Sequence, residues 1–209
     1  MSTAAVVGTA PPSRVRALVV HCHPSAESTV SMARDRAAAA ITGAGGEVRQ
    51  IDLYAEGFEP VLSAWERRNH LADPSTKPDI APHAQLLEWC NTLVLTYPTW
   101  WSGQPAMLKG WFDRVWVQGI AYELPAGSDR IRPRLRNIRR IVVVTSYGGP
   151  RWRNMLEGES GRRVIRRAMR AVCHPLCRTT WLGLYGTDGN RDRRSRFLDR
   201  VGSRLSRLG

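Results

Sequence analysis

Among 209 residues there are only four cysteines, and no apolar run comes near the ~20 residues that a membrane-spanning helix needs. The first residues have no basic segment followed by an apolar one, so a secretory leader is not expected. Residues 1–13 are small, polar or proline and are expected to be disordered. Cys22 and Cys90 fall in or beside apolar runs, which fits reduced thiols in a cytoplasmic protein rather than a disulfide framework. Cys173 and Cys177 bracket His174 and Pro175, but without a second ligand pair that spacing is a poor zinc signature, and no metal site is expected. Lysine is almost missing: all but Lys77 and Lys109 of the 31 basic residues are arginine. Acidic residues are scarce in one half only. Residues 1–127 carry 10 basic and 12 acidic side chains, whereas residues 128–209 carry 21 and 6, a net charge of +15 in that half. Such a surface attracts anionic lipid, nucleic acid or a phosphorylated substrate, or is a solvated arginine face. No DNA- or RNA-reading motif accompanies it, so specific nucleic-acid binding is not expected.

The length suits one domain over residues 14–209, with a full hydrophobic core. Residues 15–22 and 47–53 read as strands, as does the β-branched, apolar run from Leu93, and Tyr97-Pro98 closes it because proline cannot donate to a ladder. Residues 138–146 and 178–184 are the fourth and fifth strands. Between them lie helices at residues 29–41, 83–90, 106–115 and 156–172, and a closing helix at residues 192–208. The helix at residues 156–172 is expected to turn Val164, Ile165, Ala168, Met169 and Val172 inward and its arginines outward. Residues 56–82, rich in proline and without periodicity, form a long excursion with a short helix near Trp65. Residues 118–124 read as one extended segment. Strands alternating with helices imply an α/β fold: a five-stranded parallel sheet in the order 2-1-3-4-5, covered by helices on both faces. In that order the turns after the first and third strands are neighbours at the ligand crevice.

The first of those turns begins at His23 and ends where Ser28 or Thr29 caps a helix, leaving free amides at its positive end. The second carries Trp100 and Trp101, which on their own read equally as core or as a wall for a ligand. After the fourth strand, Thr145-Ser146-Tyr147-Gly148-Gly149 allows backbone to approach a ligand closely, or is an ordinary turn before Pro150.

Residues 97–115, Tyr-Pro-Thr-Trp-Trp-Ser-Gly-Gln-Pro-Ala-Met-Leu-Lys-Gly-Trp-Phe-Asp-Arg-Val, resemble the signature of the flavodoxin-like NAD(P)H:quinone oxidoreductases. That family includes two-electron quinone reductases, modulators of drug activity and ancillary subunits of potassium-efflux systems. The resemblance extends more loosely over residues 15–186. It implies a flavodoxin-like fold, FMN or FAD as cofactor, and NAD(P)H as donor of hydride to a quinone-like acceptor by a ping-pong, two-electron route. It also implies, as an alternative, a redox-regulatory subunit peripherally associated with a membrane transporter.

By the same resemblance the flavin phosphate falls to His23, Ser28, Thr29 and Val30, although Thr29-Val30 replaces the polar residue usual there. The ring falls to Pro98, Thr99, Trp100, Trp101 and Ser102, with Gly103 clearing space, and its pyrimidine edge to Thr145, Ser146, Tyr147, Gly148 and Gly149. Trp152 and Ser160 stand where the animal enzymes carry a tyrosine and a histidine that assist catalysis. A serine cannot shuttle a proton near neutral pH as imidazole does. Family members commonly form homodimers, and Trp111, Trp116 and Val117 crowd the corresponding helix here.

Overall fold

A computed structural model describes residues 14–69, 78–186 and 190–208. The N-terminal segment expected to be disordered, and part of the excursion, lie outside them. The fold is built around strand β3 (Thr92–Pro98), all seven residues of which are buried. It pairs in parallel with β1 (Arg16–His21) on one side and β6 (Arg140–Tyr147) on the other. Strands β2 (Glu47–Asp52) and β7 (Arg178–Tyr185) complete a parallel sheet in the order β2-β1-β3-β6-β7. With the short hairpin strands β4 (Tyr122–Glu123) and β5 (Arg132–Pro133) set aside, this is the expected 2-1-3-4-5 order.

Side chains alternate across the sheet, as strand geometry requires. Leu18, Val20, Leu93, Leu95, Tyr97, Ile141 and Val143 face one layer, which holds α3 (Ala81–Trp89) and α4 (Ala106–Val115). Val19, Val94, Val142 and Val144 face the other, where α1 (Thr29–Gly43) packs beside α7 (Arg191–Leu205). Each fully buried aliphatic side chain contributes roughly 1.5–3 kcal/mol, so a strand buried on both faces anchors both layers. No helix among the described residues is long and apolar enough to cross a membrane.

Two expectations need correction. Residues 156–172 are not one helix. Helix α5 (Arg151–Leu156) stops at Gly158, whose φ of 85° is the left-handed conformation that ends helices, and Glu159 follows at φ 45°. Helix α6 (Ser160–Arg163) then widens into a π segment, Val164–Met169. Gly161, Ile165, Met169 and Cys173 are buried at a spacing of four, longer than the 3.6 of an α-helix, and Ala168, expected inward, is exposed. Residues 118–124 are extended only at Tyr122–Glu123, which pairs with a strand the sequence reading did not contain.

The excursion is pinned from beneath by α4. Arg114, on the buried face of that helix, donates from Nε to Glu66 (2.9 Å), from Nη2 to Asp79 (2.6 Å) and from Nη1 to the Glu59 carbonyl (2.6 Å). The short helix α2 (Ala64–Arg68) presents Glu66 through a capping box with Ser63. One turn earlier on α4, Gly110 lets the excursion touch the helix: an added Cβ would stand 2.2 Å from the Pro60 carbonyl oxygen.

On the opposite layer, His21 joins three elements. Its Nδ1 meets Thr96 Oγ1 of β3 at 2.8 Å and its Nε2 meets Ser31 Oγ of α1 at 3.1 Å. Burial first, and the Arg34 charge second, lower its pKa to about 4, so the ring is neutral at physiological pH.

Two outcomes follow from these contacts. Glycine to alanine inside a helix ordinarily stabilises by roughly 0.5–1 kcal/mol. Gly110→Ala should instead destabilise by about 1–3 kcal/mol, because backbone must move; a urea midpoint that rises would refute the contact with Pro60. The His21 imidazole protonates in the unfolded chain near pH 6.5 but in the folded one only near pH 4. Its contribution is therefore complete above pH 6.5 and lost as pH falls towards 4. Urea midpoints measured between pH 7 and pH 4 should drop less steeply in His21→Gln than in the native chain.

Candidate functional site

The crevice lies where the sheet order reverses, beyond the carboxyl ends of β1 and β3. After β1, Ser25 donates its amide to His23 Nδ1 (2.9 Å), which folds the turn. Ser28 is the N-cap of α1, accepting from the Ser31 amide at 3.0 Å, and the Ser31 hydroxyl donates to the Ser25 carbonyl (2.8 Å). These bonds leave the Thr29 and Val30 amides without an acceptor among the described residues, at the positive end of a 15-residue helix.

After β3, the Thr99 amide donates to Ser146 (2.8 Å) and its hydroxyl meets that of Thr145 (2.8 Å), which clamps the aromatic loop to the end of β6. Trp100 and Gly103 exchange backbone hydrogen bonds around a two-residue turn in which Trp101 and Ser102 both have left-handed φ, 48° and 58°. Neither residue type favours that conformation, and each such residue costs on the order of 1–3 kcal/mol. The turn is held by its surroundings. The Ser102 carbonyl accepts from the Gly161 amide (3.1 Å) and the Ser160 hydroxyl (2.7 Å), and Gln104 Nε2 donates to the Gly161 carbonyl (2.8 Å). The Trp101 side chain is wholly exposed and Trp100 is 44 % exposed, so the core reading of this pair is excluded.

Two concavities meet at this turn. The first, about 620 Å³, is lined by residues that the resemblance had assigned: His23, Ser28, Thr29, Val30, Pro98, Thr99, Trp100, Trp101, Ser146 and Gly148. The second, about 410 Å³, shares Thr99, Trp101 and Gly148 with the first and adds Ser102, Gly149, Arg153, Asn154 and Glu157. A Cβ added at Gly148 would meet no atom within 4 Å, so backbone is open to the space the two share. Asn154 is buried and donates to the Pro150 carbonyl (3.0 Å), and Ser102 Oγ donates to the Glu157 carboxylate.

Other assigned residues stand elsewhere. Thr145 is buried behind Thr99, and Tyr147 stacks on Tyr185 with ring centroids 4.4 Å apart while its hydroxyl accepts from Trp181 Nε1. Gly103 lines neither concavity; its Cα lies 3.1 Å from where a side chain on Gly161 would begin, so it serves the turn's contact with α6 rather than clearing the crevice. Trp152 is exposed beside the Arg153 guanidinium, and the Ser160 hydroxyl is engaged by Ser102; neither lines either of these two concavities. Arg153, Asn154 and Glu157 were not foreseen. The only signal for them was their place one turn beyond Pro150, hidden by reading the helix from residue 156 onward. Of the apolar residues that crowd α4, Trp111 is fully buried within this chain, its Nε1 donating to His83 Nδ1 at 3.1 Å, and Trp116 and Val117 are partly buried.

No cysteine lines either concavity. Burial pushes Cys22 and Cys90 up to about 12. Among the described residues no cluster of three or more His, Cys, Asp or Glu could hold a metal ion.

Comparison with known proteins agrees with this architecture. The chain is 30% identical over 149 residues to NAD(P)H dehydrogenase [quinone] 1 of Cavia porcellus, covering 64% of this chain and 54% of that protein. It is 34% identical over 109 residues to the uncharacterized NAD(P)H oxidoreductase YcaK of Escherichia coli (strain K12), covering 51% and 55%. The chain thus spans about half the length of the curated relatives it matches. Among solved structures, the NAD(P)H:quinone oxidoreductase from Methanothermobacter marburgensis superposes with a TM-score of 0.81 at 25% identity, over 94% of this chain and 100% of that one. An FMN-dependent NADH-azoreductase from Bacillus anthracis, in complex with FMN, shares the fold at a TM-score of 0.71 and 18% identity, over 93% and 99%. Residues 15–205 match the family described as having the flavodoxin-like fold, and the chain belongs to that family.

Proposed function

We propose that this chain is a flavin-dependent oxidoreductase that passes hydride from NAD(P)H to quinones or related electrophilic acceptors, donor and acceptor occupying one site in turn. The observation that carries this reading is the junction of the two concavities at Thr99, Trp101 and Gly148. The first combines free amides at a helix's positive end with indole rings, and its volume is in the range of cofactor pockets. The second is smaller, lies beside it and has the charged side chains Arg153 and Glu157 in its wall. The quinone-reductase names of the Cavia porcellus and Methanothermobacter marburgensis proteins support the same reading, and the Bacillus anthracis protein illustrates that the fold accommodates FMN.

The residues present fit a flavin. The Thr29 and Val30 amides would hold its phosphate, with Ser28 and His23 shaping the turn. Trp100 and Trp101 would supply a flat wall, and Gly148 would admit the ring edge to backbone. When bound, the flavin supplies two-electron chemistry that no side chain here can perform. The protein's part is to orient the partners and to limit water. Ser102 Oγ, its proton engaged by Glu157, would offer lone pairs as acceptors to whatever occupies the second concavity, beside the Glu157 carboxylate. In this reading Ser102 and Glu157, which line that concavity, would act there in place of Trp152 and Ser160.

Purified protein should carry flavin absorption bands, and the mass of the molecule released on denaturation identifies FMN or FAD. Those bands should bleach anaerobically with NAD(P)H and return with menadione. Initial rates at several menadione concentrations should give parallel double-reciprocal lines, and intersecting lines would contradict alternating occupancy. Gly148 offers a sharper test than Gly149, where a Cβ would already stand 3.4 Å from Arg153 Cδ. Gly148→Leu should weaken flavin binding by at least about tenfold, because a side chain enters the shared space, while thermal stability stays within roughly 0.5 kcal/mol. Unchanged flavin affinity in a folded Gly148→Leu protein would remove this loop from the site.

A further inference from the structure

The arginines of α6 and the π segment have no part in the reading above. Arg162, Arg163, Arg166 and Arg167 line a third concavity of about 400 Å³ together with Glu159. Glu159 is the one carboxylate in that wall, and both its oxygens accept from Arg162 Nη1 at 3.0 Å. The Arg162 guanidinium lies over the Trp181 ring, 5.7 Å from its centroid, and its Nε is buried with no acceptor among the described residues. The side chains of Arg163, Arg166 and Arg167 make no hydrogen bond or ion pair among the described residues.

Arg162 with Arg166, and Arg163 with Arg167, are four residues apart on one helical surface, a spacing at which like charges repel. The furrow therefore concentrates positive charge that the protein itself does not neutralise. Guanidinium groups match phosphate oxygens with paired N–H donors, and a cluster of them is suited to a phosphomonoester more than to a carboxylate carrying one charge.

The furrow is also tied to the crevice. Glu159 is two residues beyond Glu157 of the second concavity, and the first residues of α6 are bonded to the Ser102 carbonyl and to Gln104. Part of the wall of the second concavity and the wall of the furrow come from one stretch of chain, residues 153–167.

We infer that this furrow binds a phosphate group and, resting on the oxidoreductase reading, that the group is the 2′-phosphate by which NADPH differs from NADH. The chain is then selective for NADPH. An arginine beside the ribose is a general means of accepting that phosphate.

Two measurements on the flavin-loaded protein test this. In the first, KM is determined for NADPH and for NADH with menadione as acceptor. In the second, adenosine 2′,5′-bisphosphate and AMP are titrated calorimetrically, with no turnover involved. KM for NADH should exceed that for NADPH by at least about tenfold, and the bisphosphate should bind tighter than AMP by a similar factor. Both ratios should fall towards one in Arg163→Gln/Arg166→Gln/Arg167→Gln, with unchanged far-UV circular dichroism; the single variants should fall part of the way. Equal use of the two nucleotides by the native protein, or equal binding of bisphosphate and AMP, overturns the inference while leaving the oxidoreductase reading intact. Discrimination in binding without turnover of either nucleotide supports the phosphate site and overturns the oxidoreductase reading. Inorganic pyrophosphate, duplex RNA or phosphatidylserine vesicles bound through these arginines, with no discrimination between bisphosphate and AMP, would overturn the assignment to NADPH.

Discussion

Strand β3 is shielded from water on both faces, and the rest of the molecule is arranged to keep it so. Its seven residues are buried, its edges are taken by β1 and β6, and the two helical layers rest on alternate side chains. A one-residue slip in its register would exchange Leu93 and Leu95 with Val94 between the two layers and spoil the packing of both. Pro98 then ends the ladder at one place, and the aromatic loop starts from a fixed point. The position of the crevice is thus a consequence of core packing, settled before any ligand is considered.

The second constraint is electrostatic. Arg114 is buried on α4 and reaches two carboxylates and a carbonyl from the excursion that covers that helix. Its charge is tolerable only because Glu66 and Asp79 face it, and the pairing also holds the Glu66 carboxyl below its ordinary range despite the opposing effect of burial. The arrangement converts a proline-rich stretch with little helical character into a fixed cover. It also accounts for two residues of the 97–115 signature, Gly110 and Arg114, that have nothing to do with the crevice: one admits the cover and the other fastens it.

Much of this was legible in the sequence, and the physical reasons are specific. β3 was readable because burial on both faces demands an uninterrupted apolar run, and the sheet order followed from the alternation of strands and helices. The floor of the first concavity was readable because a capped helix start and a Tyr-Pro strand end are local signals. The break at Gly158 and Glu159 was not, since Glu159 adopts a left-handed φ that its residue type does not advertise. The π segment was not, because one periodicity of 3.6 fits Val164, Ile165, Ala168 and Val172 well enough to conceal a spacing of four. The second concavity went unseen for the same cause: Arg153 and Asn154 belong to a short helix, capped by Glu157, that the reading of one helix from residue 156 onward concealed. Nothing local marked Arg114 as buried, because a buried cation is visible only through partners distant in sequence.

The turn at Trp101 and Ser102 has a mechanical meaning. Two consecutive peptide units in a conformation their side chains disfavour would relax if they were free, but the Ser102 carbonyl is gripped by Gly161 and Ser160, and Gln104 adds a third tie on the next residue but one. The turn therefore behaves as a rivet between two plates rather than as a hinge. Neither the indole wall nor the beginning of α6 can shift alone; a displacement of one carries the other as a single rigid piece.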